Sequence, residues 1–268
     1  MKGDDIMSNN NAIQSPYDVR DYTIKPHIEF PKEFSLKIQV PVKNQWSKPT
    51  CVAHALSSTI EYHHKKQYGS YRKFSTEFIY GLRDSSNYLG EGMVVREALK
   101  TIQKYGDVYY TDCPGNHTVQ DAMSIVNTKI DELKELAYPH RITAYFKINS
   151  PEELKTALME YGPVIVVMNT YDNDKVINDV YTYNPDNPRG SHCVFIYGWN
   201  ENGWLVQNSW GKLYAWDGRF TIPFDFKFSE MWGIVDDIVE NDIIRPNRNK
   251  VLDIVYKIIN TIINLLNK

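Results

Sequence analysis

Four residues of this 268-residue chain have the types and the order needed for one reaction centre. Cys51 lies six residues after Gln45, in Pro41-Val42-Lys43-Asn44-Gln45-Trp46-Ser47-Lys48-Pro49-Thr50-Cys51. His192 stands in Ser191-His192-Cys193-Val194-Phe195-Ile196-Tyr197-Gly198-Trp199. Asn208 follows sixteen residues later in Trp204-Leu205-Val206-Gln207-Asn208-Ser209-Trp210-Gly211. A thiol is a poor nucleophile near neutral pH, and its thiolate is a good one. A nearby imidazole takes the thiol proton and later gives it to a leaving amine. An amide oxygen on the other ring nitrogen fixes the imidazole's tautomer and orientation. The Gln45 amide and the backbone N–H of Cys51 supply oxyanion donors, each worth about 3 to 4 kcal/mol of barrier. This set predicts acyl transfer through a thioester, most simply hydrolysis of a peptide bond. Trp210 is placed to shield the His192–Asn208 bond from water.

The flanking segments say what must hold these residues. Val52, Ala55, Leu56 and Ile60 repeat at helical spacing from Cys51 to about Gly69. Thr50 as N-cap puts Cys51 in the first turn, where the positive end of the helix dipole lowers a thiol pKa. Ser75–Gly81 and Val94–Tyr105 read as further helices, the second closing at Gly106. Ser150 as N-cap, Pro151 at N1 and Glu153 at N3 open another, which ends at Gly162. The texture then changes to strands: Val164–Met168, His192–Tyr197, Trp204–Asn208 and Arg219–Ile222. The nucleophile thus lies on a helix-rich half, its base and orienter on a strand-rich half. The site is expected at the seam between two lobes of an α+β fold, residues 45–135 and 136–235, within a domain over 17–240.

Residues 1–16 are polar and Asn-rich and read as a flexible arm. Tyr17–Pro41, with Pro26 and Pro31, reads as an extended surface arm. At the other end, Val251, Ile254, Val255, Ile258, Ile259, Ile262, Ile263, Leu265 and Leu266 share one helical face. This amphipathic helix over 251–268 suits docking on its own domain, self-association or peripheral membrane contact. Its polar face carries only Lys257 and Lys268, which is weak for a membrane role.

Composition narrows the function classes. Lys plus Arg number 30 against 33 Asp plus Glu, a formal charge of −3, so no basic surface for nucleic acid is expected. Apolar residues make up 42%, as in an ordinary globular domain. Three cysteines, Cys51, Cys113 and Cys193, give no disulfide framework and fit a reducing compartment. Neither a signal-peptide apolar core nor an 18-residue apolar run is found, so a cytoplasmic or virion-associated location without a membrane span is expected. His54 lies three residues after Cys51, and His63 and His64 lie further along the same helix, which raises a metal site. Positions 63 and 64 cannot share a face with both 51 and 54 and no second paired motif exists, so no metal and no cofactor are expected. Cys113 is read as a structural loop residue and His54 as core.

Four blocks in order resemble the papain-like cysteine peptidases, the group that includes the cathepsins. These are Gln45–Ala55, Gly162-Pro163-Val164, Ser191-His192 leading to Tyr197-Gly198-Trp199, and Asn208-Ser209-Trp210-Gly211 with Gly218 and Phe220 after it. Asp18-Val19-Arg20-Asp21-Tyr22 also resembles an arm of bacterial and viral members. The resemblance implies a helical left lobe, a β-barrel-like right lobe and a cleft between them. It implies a polypeptide substrate, with Cys51 as nucleophile, His192 as base, Asn208 as orienter and Gln45 as oxyanion donor. Gly92 matches the segment whose backbone pairs with extended substrate. Met93, Val167 and Cys193 then fall near an apolar pocket for the second residue before the scissile bond, and Trp210 counts with the substrate-side residues. The chain departs from the family at Pro49-Thr50, where Gly-Ser is usual, at Val52, where Trp is usual, and at Trp46, where Gly is common. The family's large prodomain and disulfides have no counterpart, so control is expected from the N-terminal arm, localisation or a partner. Two other readings share these residues: an inactive peptidase-fold binding module, and an acyl transferase that passes the thioester to an amine.

Overall fold

The computed structural model describes residues 12–19, 21–27, 29–37, 39–84 and 90–236. The amphipathic helix expected over 251–268 and the first eleven residues of the N-terminal arm lie outside the described residues. Helix α1, Cys51–Tyr68, is the central element. Every residue from Cys51 to His64 is buried, so even Ser57, Thr59 and Glu61 face protein rather than water. The helix stops at Gly69, whose φ of 70° is left-handed and whose N–H donates to the Lys65 carbonyl. Around it lie α2 (Thr76–Gly81), α3 (Val95–Tyr105), α4 (Val119–Asn127) and α5 (Ile130–Ala137). Helix α6, Pro151–Glu160, begins as expected: Ser150 Oγ accepts from Glu153 N at 3.1 Å, and Pro151 sits at its start.

Strand-forming segments dominate the second half. β4 (Ala144–Lys147), β5 (Val164–Tyr171), β6 (Lys175–Ile177), β7 (Val180–Thr182), β8 (Pro188–Asn200), β9 (Gly203–Gln207), β10 (Arg219–Ile222) and β11 (Glu230–Val235) join in one sheet. Their order is β4-β11-β5-β8-β9-β10-β7-β6, with β2 (Phe34–Ser35) added against β8. A second, small sheet pairs β1 (Ala12–Ile13) with β3 (Met93–Val94) in parallel. Strand β8 is longer than its apolar run suggests, because β5 and β9 pair with its two edges and extend the ladder beyond the apolar residues.

The side-chain alternation of β5 divides the core. Ile165 and Val167 join the cluster around α1, with Leu56, Leu99 and Ile102. Val164, Val166 and Met168 join the cluster of the other lobe, with Leu154, Leu158, Trp199 and Phe220. A strand buried on both faces reads as a continuous apolar run, which is what Val164–Met168 presents.

Two expectations need correction. Thr50 occupies the N-cap position of α1, but its side chain caps nothing; the hydroxyl donates to Asn116 Oδ1 at 2.9 Å instead. The arm expected to be flexible over 1–16 is pinned from Ala12 onward: Ala12 is buried in the α1 cluster, and Ser15 N donates to Glu230 Oε1 at 2.5 Å. Both corrections come from partners distant in sequence, which local propensity does not report.

His54 and His63 are buried in α1, and burial lowers each pKa from 6.5 to about 3. Lys43 adds to the effect at His54 and Lys66 at His63. Both stay neutral in the fold while the unfolded chain takes up protons below its pKa of 6.5. Their contribution is complete above pH 6.5 and falls with pH toward 3, by up to about 1.4 kcal/mol per pH unit for each histidine. Urea unfolding at pH 7, 6 and 5 should therefore show a falling midpoint. A midpoint that stays constant across that range would contradict neutral burial of these side chains.

Candidate active site

The local hydrogen bonds determine the tautomer of His192. Asn208 lies one residue beyond β9, and its Oδ1 accepts from Ser209 N at 2.7 Å. That N–H is an obligate donor, so the atom facing it is the amide oxygen. The same oxygen lies 2.7 Å from His192 Nε2, which must therefore carry the proton. Nδ1 is left as the lone-pair nitrogen, and it is buried without a hydrogen-bond partner among the described residues. Trp210 stacks on the imidazole with ring centroids 4.5 Å apart and planes at 21°. His192 is fully buried and Trp210 nearly so, which keeps water from the Asn208 bond. Burial lowers the His192 pKa to about 4, partly opposed by the Asn208 bond, so the imidazole alone is neutral at pH 7.

Gln45 and Cys51 bound a short loop. Gln45 N donates to the Ser209 carbonyl at 2.8 Å, and Ser209 Oγ donates to Gln45 Oε1 at 2.6 Å. These two bonds orient the Gln45 amide from the strand-rich lobe. Its Nε2 donates to the Lys48 carbonyl at 2.9 Å, which uses one of its two N–H groups. Trp46 has φ of 53°, a left-handed conformation that costs a residue with a Cβ about 1 to 2 kcal/mol. This is the position at which glycine is common in the resembling family. Asn116 Nδ2 donates to the Gln45 carbonyl at 2.8 Å. Cys51 opens α1, so its N–H lies outside the helix's own i to i−4 ladder. After burial and Lys43, His192 contributes to the lowered pKa of His54, one turn along α1 from Cys51.

Gly92 N–H donates to Tyr80 Oη at 3.1 Å, and the next two residues, Met93 and Val94, form ladder positions. Their partners are the chain's own Ala12 and Ile13. Met93, Val167 and Cys193 are buried in one cluster with Ala12 and Cys51. Ser191 Oγ donates to the Ala12 carbonyl. Glu230, paired with Val167 across β11 and β5, adds a buried carboxylate to this region. Its oxygens accept from Ser15 N and, at 2.7 Å, from Trp232 Nε1. Sequence reading missed Asn116, Ser209, Ala12, Ser15 and Glu230. Only Glu230 leaves a signal, as the charge that heads the apolar run Met231–Val235. Burial raises the Cys193 thiol pKa, with further contributions from Cys51 and then Glu230. Burial likewise pushes Cys113 up to about 11, and none of the three cysteines forms a disulfide. His54, weighed as a metal ligand, uses Nδ1 to donate to the Thr50 carbonyl at 2.9 Å.

Comparison with known proteins fits this geometry. Residues 31–238 match the papain family cysteine protease profile. An uncharacterized peptidase C1-like protein, L477, of Acanthamoeba polyphaga mimivirus is 26% identical over 239 residues, 74% of this chain and 71% of that protein. Human cathepsin O is 25% identical over 100 residues, which cover 36% of this chain and 30% of the cathepsin. Among solved structures, xylellain, a cysteine protease from Xylella fastidiosa, superposes with a TM-score of 0.75 at 19% identity, covering 86% of this chain and 97% of xylellain. The protease and lectin-like domains of Cwp84 from Clostridium difficile give 0.67 at 21% identity, covering 85% of this chain and 55% of that one. At such identities the superpositions speak for the two-lobed α+β fold, while the profile match spans most of the sequence. This chain belongs to the papain family of cysteine proteases.

Proposed function

We propose that the chain is a cysteine endopeptidase that cleaves peptide bonds through an acyl-enzyme thioester on Cys51. The observation that carries this reading is the tautomer of His192, with Nε2–H held by Asn208 and Nδ1 left as base. The Cys51 thiol gives its proton to His192 Nδ1, and the thiolate attacks the scissile carbonyl. Burial disfavours an isolated imidazolium, so the adjacent thiolate charge and the Asn208 oxygen are what make the ion pair accessible. The Cys51 N–H and the second Gln45 N–H meet the developing oxyanion. Collapse of the tetrahedral adduct breaks the C–N bond, and His192 gives the leaving amine its proton. Water, deprotonated by His192, then attacks the thioester and releases the acid with Cys51 regenerated. Met93, Val167 and Cys193 favour an apolar residue at the second position before the scissile bond, as the Ala12 side chain in that cluster suggests.

Cys51→Ala should abolish hydrolysis of a denatured proteome and labelling by thiol-directed peptidyl inhibitors, with the fold retained. Asn208→Ala should lower kcat by about tenfold or more through the lost tautomer control. Turnover that persists in Cys51→Ala would sink the peptidase reading. Product masses with an added amine distinguish hydrolysis from acyl transfer.

In this reading residues 12–15, which pair with Met93 and Val94 and bond to Glu230, lie along the edge that an extended peptide would use, so substrate displaces them. The Ser15–Glu230 bond is charge-assisted and buried, a class worth about 1.5 to 3 kcal/mol. In the full chain, Ala12→Arg overfills the pocket and should expel the segment. Labelling of Cys51 by a peptidyl epoxide should then accelerate by about tenfold or more, while the rate with iodoacetamide changes far less. Equal acceleration of both reagents, or of neither, would rule out displacement as the step that limits entry.

A further inference from the structure

The approach to Cys51 lacks the small residues usual in the family, and the structure shows what replaces them. The loop from Gln45 to Thr50 connects the amide that meets the oxyanion to the residue before the nucleophile. Its two ends converge on one side chain. Asn116 Nδ2 donates to the Gln45 carbonyl at 2.8 Å, and Thr50 Oγ1 donates to Asn116 Oδ1 at 2.9 Å. The Thr50 hydroxyl, in the N-cap position, is used here rather than on α1. A left-handed Trp46 lies inside the loop, and a strained conformation persists only where its surroundings over-determine it.

Asn116 is itself held rigidly. His117 N donates to Glu77 Oε2 at 3.0 Å, and His117 Nδ1 lies 2.5 Å from Glu77 Oε1. Glu77 is buried at the start of α2, so this carboxylate fixes the Gly115–His117 turn to the helical lobe. Gly115 has φ of 149°, and a Cβ there would lie 2.8 Å from both Glu77 Cδ and His117 Nδ1. On its other side Asn116 lines a cleft of about 570 Å³ together with Lys43, Asn44, Trp46 and His54. That opening leaves room for a substituted side chain without overpacking.

We propose that Asn116 is a positioning residue of the peptidase, a two-ended staple that sets the Gln45 amide against Cys51. The proposal rests on the reading of Cys51 and Gln45 given above. Asn116 acts through Gln45 and does not touch substrate. Losing a well-placed oxyanion donor typically slows an acyl transfer by about 10²- to 10³-fold, and displacing one by about 1 Å has a comparable effect.

The test is a kinetic cycle on a peptide amide substrate in the full chain. Asn116→Leu should lower kcat by about tenfold to a hundredfold and leave KM within about threefold. Asn116→Asp keeps the acceptor for Thr50 but loses the donor to Gln45, and should slow kcat similarly. In a Gln45→Ala background Asn116→Leu should add less than about threefold, because its target is already gone. The same factor in both backgrounds, or a raised KM with unchanged kcat, overturns the proposal. If the wild-type chain hydrolyses no peptide, the endopeptidase reading fails on its own. The staple is then decided by affinity for a peptide aldehyde, whose hemithioacetal oxygen uses the same Gln45 donor. A loss of threefold or more in Asn116→Leu supports it, and a smaller change overturns it.

Discussion

The site depends on a short backbone seam between the residues before Cys51 and the residues after Asn208. Gln45 N donates to the Ser209 carbonyl, Gly211 N donates to the Lys43 carbonyl, and Asn44 bridges to Trp210. Ser209 Oγ adds a side-chain bond to the Gln45 amide. These contacts span about 165 residues of chain, yet they lie close in sequence to Gln45, Cys51 and Asn208, the last of which holds His192. The nucleophile comes from the helix-rich half and the base from the sheet, and this seam fixes their relative position. Peptide–peptide bonds suit the task, since they are short, directional and independent of flexible side chains.

Beneath the seam lies a buried polar cluster. Lys43 Nζ is 2.7 Å from Glu61 Oε1 and 2.5 Å from Ser57 Oγ, both on α1. Glu61 also accepts from Phe74 N at 2.9 Å. Asp107 sits nearby with its carboxyl pushed well above the usual range by burial, which Lys43 only partly opposes. A buried ion pair is weak evidence for net stability. Its geometry has another consequence: Lys43 is two residues from Gln45, so its hold on α1 ties the oxyanion loop to the helix that carries Cys51. Asn116 restrains the far end of the same loop. Fixing the loop at both ends compensates for a Trp and a Pro-Thr pair where the family usually has small residues.

Much of this was legible in the sequence. Val52, Ala55, Leu56 and Ile60 announce α1, Ser150-Pro151 and Glu153 announce α6, and Val164–Met168 announces a strand buried on both faces. Each signal is local, set by periodicity or by capping within one turn. Helices α4 and α5 lack such clear punctuation and were not foreseen, nor was β11, whose Glu230 and Gly233 break its apolar run. The reaction type was legible because a thiol, an imidazole and two amides have few other uses in this order and with these flanking blocks.

The sequence by itself marked the candidate nucleophile, base, orienter and oxyanion amide, and which half of the molecule each occupies. Tertiary structure alone decided that Met93 and Val94 pair with Ala12 and Ile13, and that Ser15 N reaches Glu230. It alone decided that the Thr50 hydroxyl bonds Asn116 and not the helix it precedes. The reason is one of range. Periodicity and capping are properties of neighbouring residues, whereas these contacts join positions 66 to 215 apart, so only the folded path of the backbone brings them together.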